Sequence, residues 1–331
     1  MPSLTEFAGL PVVEFPADGT EEGRIERIRA QGGDPRNPAS VAWRLRTSDE
    51  PPEEGRGEHV ARFLSVVDTE QVGALVLGAW GYPAQEGPEG FLEPLIEHAD
   101  ALPNLRSVFV GDIDFEESEL SWISQGDLAP FVAAFPRLEE LAVKGAAGME
   151  GELRLHVPSH ASLRSLTLET GGLPGRVARE VASSGLPALE HLELWLGVED
   201  YGGDTSPSDL APVLAGEAFP RLRYLGVRNA ERVDEWVPVL AEAPVAKNLE
   251  VLDLSLGILT DKGGQALVDR ADAFSGLREL DLHHHYLSEG MVERVRAAFT
   301  GIGVEVDLSD RLEPEYDETD GEPEYYTAAS E

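Results

Sequence analysis

The 331-residue chain contains no cysteine. That absence excludes a disulfide framework, a thiolate zinc site, an iron–sulfur cluster and a cysteine nucleophile. Positive charge is scarce: 26 Lys and Arg stand against 62 Asp and Glu, a formal net charge of −36. A body this negative repels phosphate backbones and anionic headgroups at long range, so neither nucleic acid nor a membrane is an expected partner. Long hydrophobic runs are missing as well. Nothing approaches the roughly 18 apolar residues of a membrane-spanning helix. Residues 1–15 interrupt their apolar positions with Pro2, Glu6, Pro11 and Glu14 and do not read as a secretory signal. Together these absences make the cytoplasm the expected compartment.

Catalytic signatures are equally thin. There is no G-x-x-x-x-G-K-[ST], no G-x-G-x-x-G after a strand and no G-x-S-x-G. Carboxylate pairs abound, but 62 acids make such pairs unspecific. The expectation is a chain that is not an enzyme, with no catalytic residue and no cofactor. Hydrophobic content of 42% nevertheless implies a folded protein.

What is present is a repeat. The pattern L-x-x-L-x-L, with Val substituting, begins at Val72, Leu105, Leu138, Leu163, Leu189, Leu222, Leu249 and Leu277, at intervals of 33, 33, 25, 26, 33, 27 and 28 residues. Two units share more than leucines: Asp127-Leu-Ala-Pro leads into Phe135-Pro-Arg-Leu138, and Asp209-Leu-Ala-Pro into Phe219-Pro-Arg-Leu222. Each predicts a helix opened by an Asp cap with Pro in its first turn, then a loop, then a strand. Strand residues alternate between faces, so the fourth and sixth motif positions point inward. One unit cannot bury its own apolar face; stacked units can.

In these residues the chain resembles leucine-rich-repeat proteins, from about Val72 to Leu308. Leu189-Glu-His-Leu-Glu-Leu-Trp-Leu-Gly197, Leu280-Asp-Leu-His-His-His-Tyr-Leu-Ser288 and Val306-Asp-Leu-Ser-Asp310 resemble more narrowly a bacterial, mostly actinobacterial, family of such repeats. The resemblance implies an α/β solenoid, with a curved parallel sheet inside and helices outside, and no particular biochemistry. Many such repeats carry an Asn ladder at motif position nine, where this chain has Trp80, Ile113, Gly171, Gly197 and Gly257. Irregular turn packing is therefore expected.

The expected organisation is an N-terminal cap and first helix over 1–71, the solenoid over 72–309, and an acidic tail over 310–331. The cap contains two strand-like pieces, 10–15 and 41–45. The tail holds nine acids and one arginine, with Tyr316, Tyr325 and Tyr326 as its aromatics. It reads as a solvated segment, or else as a motif presented to a partner, docked back on the solenoid, or modified by another enzyme.

Function should sit on the concave face and on the loops. Motif positions three, five and seven face outward. They place His191, Glu193, Trp195, Tyr224 and Arg228 on adjacent strands, with Glu169 and Lys144 in the same row as Trp195. Trp, Tyr and Arg dominate interface hot spots, so this cluster is the expected binding site for a protein or peptide, basic or mixed in charge. The bland alternative is a self-satisfied surface cluster with a cation–π pair. Asp253, Asp281, His283 and His285 form a candidate divalent-metal set, although consecutive histidines cannot all point one way. Two insertions, 112–127 with Trp122 and 198–209 with Tyr201, are expected as rim loops.

Overall fold

In the computed structural model, which describes residues 2–47, 55–146, 152–316 and 321–329, the fourth and sixth positions of all eight motifs are buried. The chain divides into two units, Met1–Leu166 and Thr167–Glu331, each a run of leucine-rich-repeat solenoid. Among the described residues no helix is long and apolar enough to cross a membrane.

The first unit opens with an antiparallel hairpin, β1 (Glu6–Phe7) and β2 (Leu10–Glu14). From β2 the sheet continues in parallel through β3 (Ala42–Thr47), β4 (Ala74–Trp80), β5 (Ser107–Asp112) and β6 (Glu140–Lys144). Helices α1 (Glu21–Ala30), α2 (Arg56–Val66), α3 (Glu89–Glu97) and α4 (Ala129–Ala134) lie between the strands. Val13, Trp43, Leu75, Val108 and Leu141 pair across this sheet. The two pieces expected as a cap are therefore rungs of the same sheet, two before the first recognisable motif.

The other face of these strands is a second core. Ala42, Ala74, Val76, Phe109 and Ala142 are buried under Phe7, with Leu4, Leu10 and Val12 packed around it. Phe7 meets Phe109 edge-on at 5.8 Å between centroids. Asp112 Oδ1 accepts the Leu4 N–H at 2.9 Å, the Arg44 guanidinium donates to the Leu4 carbonyl, and Arg44 and Asp112 pair at 2.6 Å. The outward positions Val76, Phe109 and Ala142 thus face the chain's own first residues and line no open groove.

In the duplicated Asp-Leu-Ala-Pro, neither Asp is the N-cap residue; Leu128 precedes α4, and Asp127, one residue earlier, accepts from Ala129 N through its Oδ1 at 3.1 Å. Asp209 precedes the four-residue α6 (Ala211–Leu214) but turns back, accepting from Ser206 N and Oγ and pairing with Arg179.

In the second unit β7 (Ser165–Glu169), which crosses the boundary, leads to α5 (Gly175–Ala182), β8 (His191–Gly197), α6 and β9 (Tyr224–Ala230). Then follow α7 (Val233–Glu242), β10 (Val251–Asp253), α8 (Asp261–Asp269), β11 (Glu279–Asp281), α9 (Glu289–Ile302) and β12 (Glu305–Asp307). Strands β8 to β12 pair in parallel, aligning Leu192, Leu225, Leu252, Leu280 and Val306. The last helix shows how sequence sets its limits: Ser288 Oγ accepts from Met291 N at the start, and left-handed Gly303 ends it.

The turns are more regular than the missing Asn ladder suggested. Val198 N donates to Gly171 O (2.8 Å), Glu231 N to Gly197 O (3.2 Å) and Ile258 N to Ala230 O (3.0 Å), a ladder of main chain alone. Close backbone approach is why glycine stands at 197: a Cβ there would lie 1.8 Å from Gly171 O. The chain leaves β9, β10, β11 and β12 through left-handed Asn229, Leu256, His284 and Asp310. Beyond β12, β13 (Glu315–Tyr316) and β14 (Pro323–Glu324) form a short hairpin, and 325–329 lie against this unit rather than in solvent.

Burial of Phe7 underlies the second core of the first unit, and large-to-small changes at such sites cost roughly 3–5 kcal/mol. Phe7→Ala is expected to lower stability by about that amount in urea unfolding, and Phe7→Leu by much less.

Candidate functional site

The cluster singled out on the second unit is assembled. His191 and Glu193 stand on β8, Tyr224 and Arg228 on β9, and Asp253 at the end of β10, all on the face away from the helices. The His191 and Tyr224 rings stack at 3.8 Å with 14° between planes. Glu193 Oε1 accepts from Trp195 Nε1 at 2.7 Å and from Arg228 Nη1 at 2.6 Å. Arg228 Nε donates to Ser255 Oγ at 3.0 Å and lies 3.1 Å from Asp253 Oδ2, while its guanidinium carbon sits 5.3 Å from the Trp195 ring centroid. Tyr224 donates to Asp253 Oδ2 at 2.6 Å.

A missing side chain makes this bridge possible. Gly226 occupies motif position five between Glu193 and Asp253. A Cβ there would sit 3.1 Å from Glu193 Cγ and 3.1 Å from the Tyr224 ring. Glycine leaves the space through which Tyr224 and Arg228 reach both carboxylates.

Burial and pairing compete in the electrostatics. Burial alone would raise the Glu193 carboxyl, but hydrogen bonds from His191, Trp195 and Arg228 and the Arg228 charge outweigh it and hold the pKa to about 2. For Asp253 burial prevails over the Arg228 charge and the pKa is raised. Burial, then the two carboxylates, push the Tyr224 hydroxyl upward, so it stays a donor. The arrangement is a hydrogen-bonded network with one guanidinium between two carboxylates, in which Trp195 is 6% and Glu193 9% exposed. The polar groups of the cluster hydrogen-bond to one another.

The other predicted residues scatter. Lys144 belongs to the first unit and is buried there, its ammonium donating to the Ile113 carbonyl. Glu169, at the end of β7, is half-buried. Trp122 is exposed at its rim, whereas Tyr201 is half-buried and its carbonyl lies where a Cβ on Gly172 would be, at 2.2 Å. Sequence reasoning missed Ser255 as an Arg228 partner, and it missed exposed Tyr82 and Phe115. The signal for the last two was their position in loops rather than at a strand position.

The predicted metal set divides. Asp253 is taken by Arg228 and Tyr224. His285 is buried, its Nε2 on the Leu308 carbonyl and its Nδ1 accepting from Leu287 N; burial lowers its pKa and keeps it neutral. Asp281 and His283 remain together, Nδ1 to Oδ1 at 2.8 Å, and Asp307 joins them from the next rung, the three offering ligand atoms within 4.8 Å of one another. Left-handed His284 is why the three histidines diverge.

No family model matches the chain, and no curated protein does. Among solved structures it is similar to a protein from Bacteroides fragilis, with 31% identity, coverage of 83% of this chain and 76% of that one, and a TM-score of 0.73. It is also similar to an internalin from Listeria monocytogenes (15% identity, 84% and 76% covered, TM-score 0.38). A third is TLR13 in its complex with ssRNA13 (13%, 93% and 40%, 0.40).

Because the Glu193 pKa is depressed from 4.5 to about 2, the unfolded chain takes up that proton first as pH falls. The stabilisation is complete above about 4.5 and drains toward about 2. Thermal unfolding across this window should show a flatter acid limb for Glu193→Gln than for the wild type. Arg228→Ala, which leaves buried carboxylates unpaired, should cost about 3–5 kcal/mol at neutral pH.

Proposed function

The chain belongs to the same family as the Bacteroides fragilis protein, and from that premise we propose that it is a protein-binding scaffold that engages its partner through the loop rim of the first unit. The observation carrying this reading is exposure. Tyr82 (55%), Phe115 (57%) and Trp122 (49%) stand in solvent, while Leu120 and Ile123 beside them are buried. Large exposed aromatics on anchored loops are the usual anchors of a binding surface.

The loops are built, not loose. Ser124 N donates to Pro83 O at 2.8 Å, joining the two loops that carry the aromatics. Glu117 pairs with Arg46 and accepts from Asp114 N at 3.1 Å, and Asp114 Oδ1 accepts from Glu116 N at 2.7 Å. Such preorganisation lowers the entropy cost of binding. Asp114, Glu116 and Glu119 share the insertion with the aromatics, so the fitting partner brings Lys or Arg beside an apolar anchor, and the charge of −36 favours its approach. On the second unit, the half-exposed His191–Tyr224 stack is the part of the network most open to such a partner.

Peptides selected by display on the full chain should carry a basic residue beside an apolar one. Phe115→Ala/Trp122→Ala should weaken them roughly tenfold or more by calorimetry, with the unfolding midpoint unchanged. Undiminished affinity in that variant would remove the rim from the reading.

A second reading, divalent-cation binding, is favoured by the approach of Asp281, His283 and Asp307. Hydrogen bonds from Ser309 hold the Asp307 carboxyl below its usual range, so it is anionic. Zinc chloride should then raise the melting temperature of the wild type and not of His283→Ala/Asp307→Asn. Equal response of both proteins would exclude it.

A further inference from the structure

We propose that the second unit carries a groove for an extended peptide, and that residues 325–329 of the chain are its resident, displaceable occupant. The groove follows motif position eight across successive repeats, where Asn229, Leu256 and His284 all take left-handed backbones (φ +51°, +65° and +58°). The Leu256 carbonyl accepts from Ala328 N at 2.9 Å. Asn229, fully buried, grips one residue in both senses: its Oδ1 accepts from Ala329 N at 3.0 Å and its Nδ2 donates to Ala329 O at 2.5 Å. Tyr286 does the same for Tyr326, its hydroxyl accepting from the N–H and donating to the carbonyl, each at 3.0 Å.

Recognition here is of main chain, which any extended segment supplies. Side chains add a pattern. Tyr325 packs edge-on against Tyr286 at 5.0 Å, Thr327 is buried, and small Ala328 and Ala329 follow. The ligand class is therefore an extended peptide with an aromatic residue followed, after one position, by three small ones.

Two observations make the occupant displaceable. Thr327 is the one residue of 321–329 that is buried, so hydrogen bonds that water can replace carry the contact, and β13–β14 before it is exposed on all four residues. Its flank, Glu322 and Glu324, brings negative charge onto a body of net charge −36. A partner peptide with the same core and a basic flank meets the same hydrogen bonds without that repulsion.

The test uses the full chain and the fluorescein-labelled peptide Lys-Pro-Lys-Tyr-Tyr-Thr-Ala-Ala. Ala329→Pro removes the N–H that Asn229 accepts, and hydrogen exchange at Ala328 reports whether the resident segment has lifted. The probe should bind the Ala329→Pro chain roughly tenfold more tightly than the wild type by anisotropy. Adding Tyr286→Phe should weaken that binding severalfold. Asn229→Ala should do the same, but its buried, left-handed position endangers folding, so Tyr286→Phe, which loses one hydroxyl, carries the decision. Equal binding to wild type and Ala329→Pro, no binding to an opened groove, or indifference to Tyr286→Phe would each overturn the proposal. Phe115→Ala/Trp122→Ala should leave the probe's affinity intact, which separates this groove from the rim.

Discussion

Parallel register is the constraint on which the rest depends. In both units, residues at the same motif position pair from strand to strand: Leu75 with Val108 and Leu141, and Leu192 with Leu225, Leu252 and Leu280. Every chemical feature is therefore a row, one motif position read across repeats. Position five gives the carboxylates Glu193, Asp253, Asp281 and Asp307, interrupted by Gly226. Position eight gives the left-handed turn residues. Position two alternates Glu190, Arg223, Glu250 and Arg278. The Arg223–Glu250 approach of 3.6 Å is exposed and contributes little energy, but a slip by one repeat would set like charges side by side.

Rows also explain which parts of the fold were legible. The leucines at positions one, four and six carry a period that any reader can align, and they define the strands. The rungs at Val13 and Trp43 lack that period because their core is aromatic, with Phe15 and Phe63 in edge-on contact and Phe63 against Trp43. Aromatic side chains fill the space that several leucines fill elsewhere, so the repeat is present in volume and absent in letters. The backbone ladder at Gly171, Gly197 and Ala230 was hidden for a related reason: a missing side chain looks like a missing interaction.

The candidate site was legible as a position and not as a state. Alternation brings His191, Glu193, Tyr224 and Arg228 to one face, as the motif spacing indicated. Whether such a face is open depends on stoichiometry between charges, and sequence spacing carries none. Two carboxylates, one guanidinium, one phenol and one indole happen to satisfy one another here. The metal set divides for the same reason, since Arg228 and Tyr224 engage Asp253, while Asp307 joins Asp281 and His283 from the next rung.

Each unit receives a segment of the chain itself, the first on the sheet face away from the helices and the second along the turns that follow the strands, and the two cases share a device. Arg44 and Asp112 between them take the carbonyl and the N–H of Leu4; Asn229 alone takes both from Ala329. A backbone brought against a folded unit loses water from its polar groups and must find partners there. Side chains that offer a donor and an acceptor at one peptide position supply them without sequence preference. The difference lies in what accompanies the grip. Leu4 is followed by Phe7, sunk among Ala74, Val76 and Phe109, so apolar burial secures it. The segment at Ala329 has Thr327 and an exposed acidic flank. The same polar device is therefore a permanent seal on one unit and an exchangeable contact on the other, with buried apolar surface as the term that separates them.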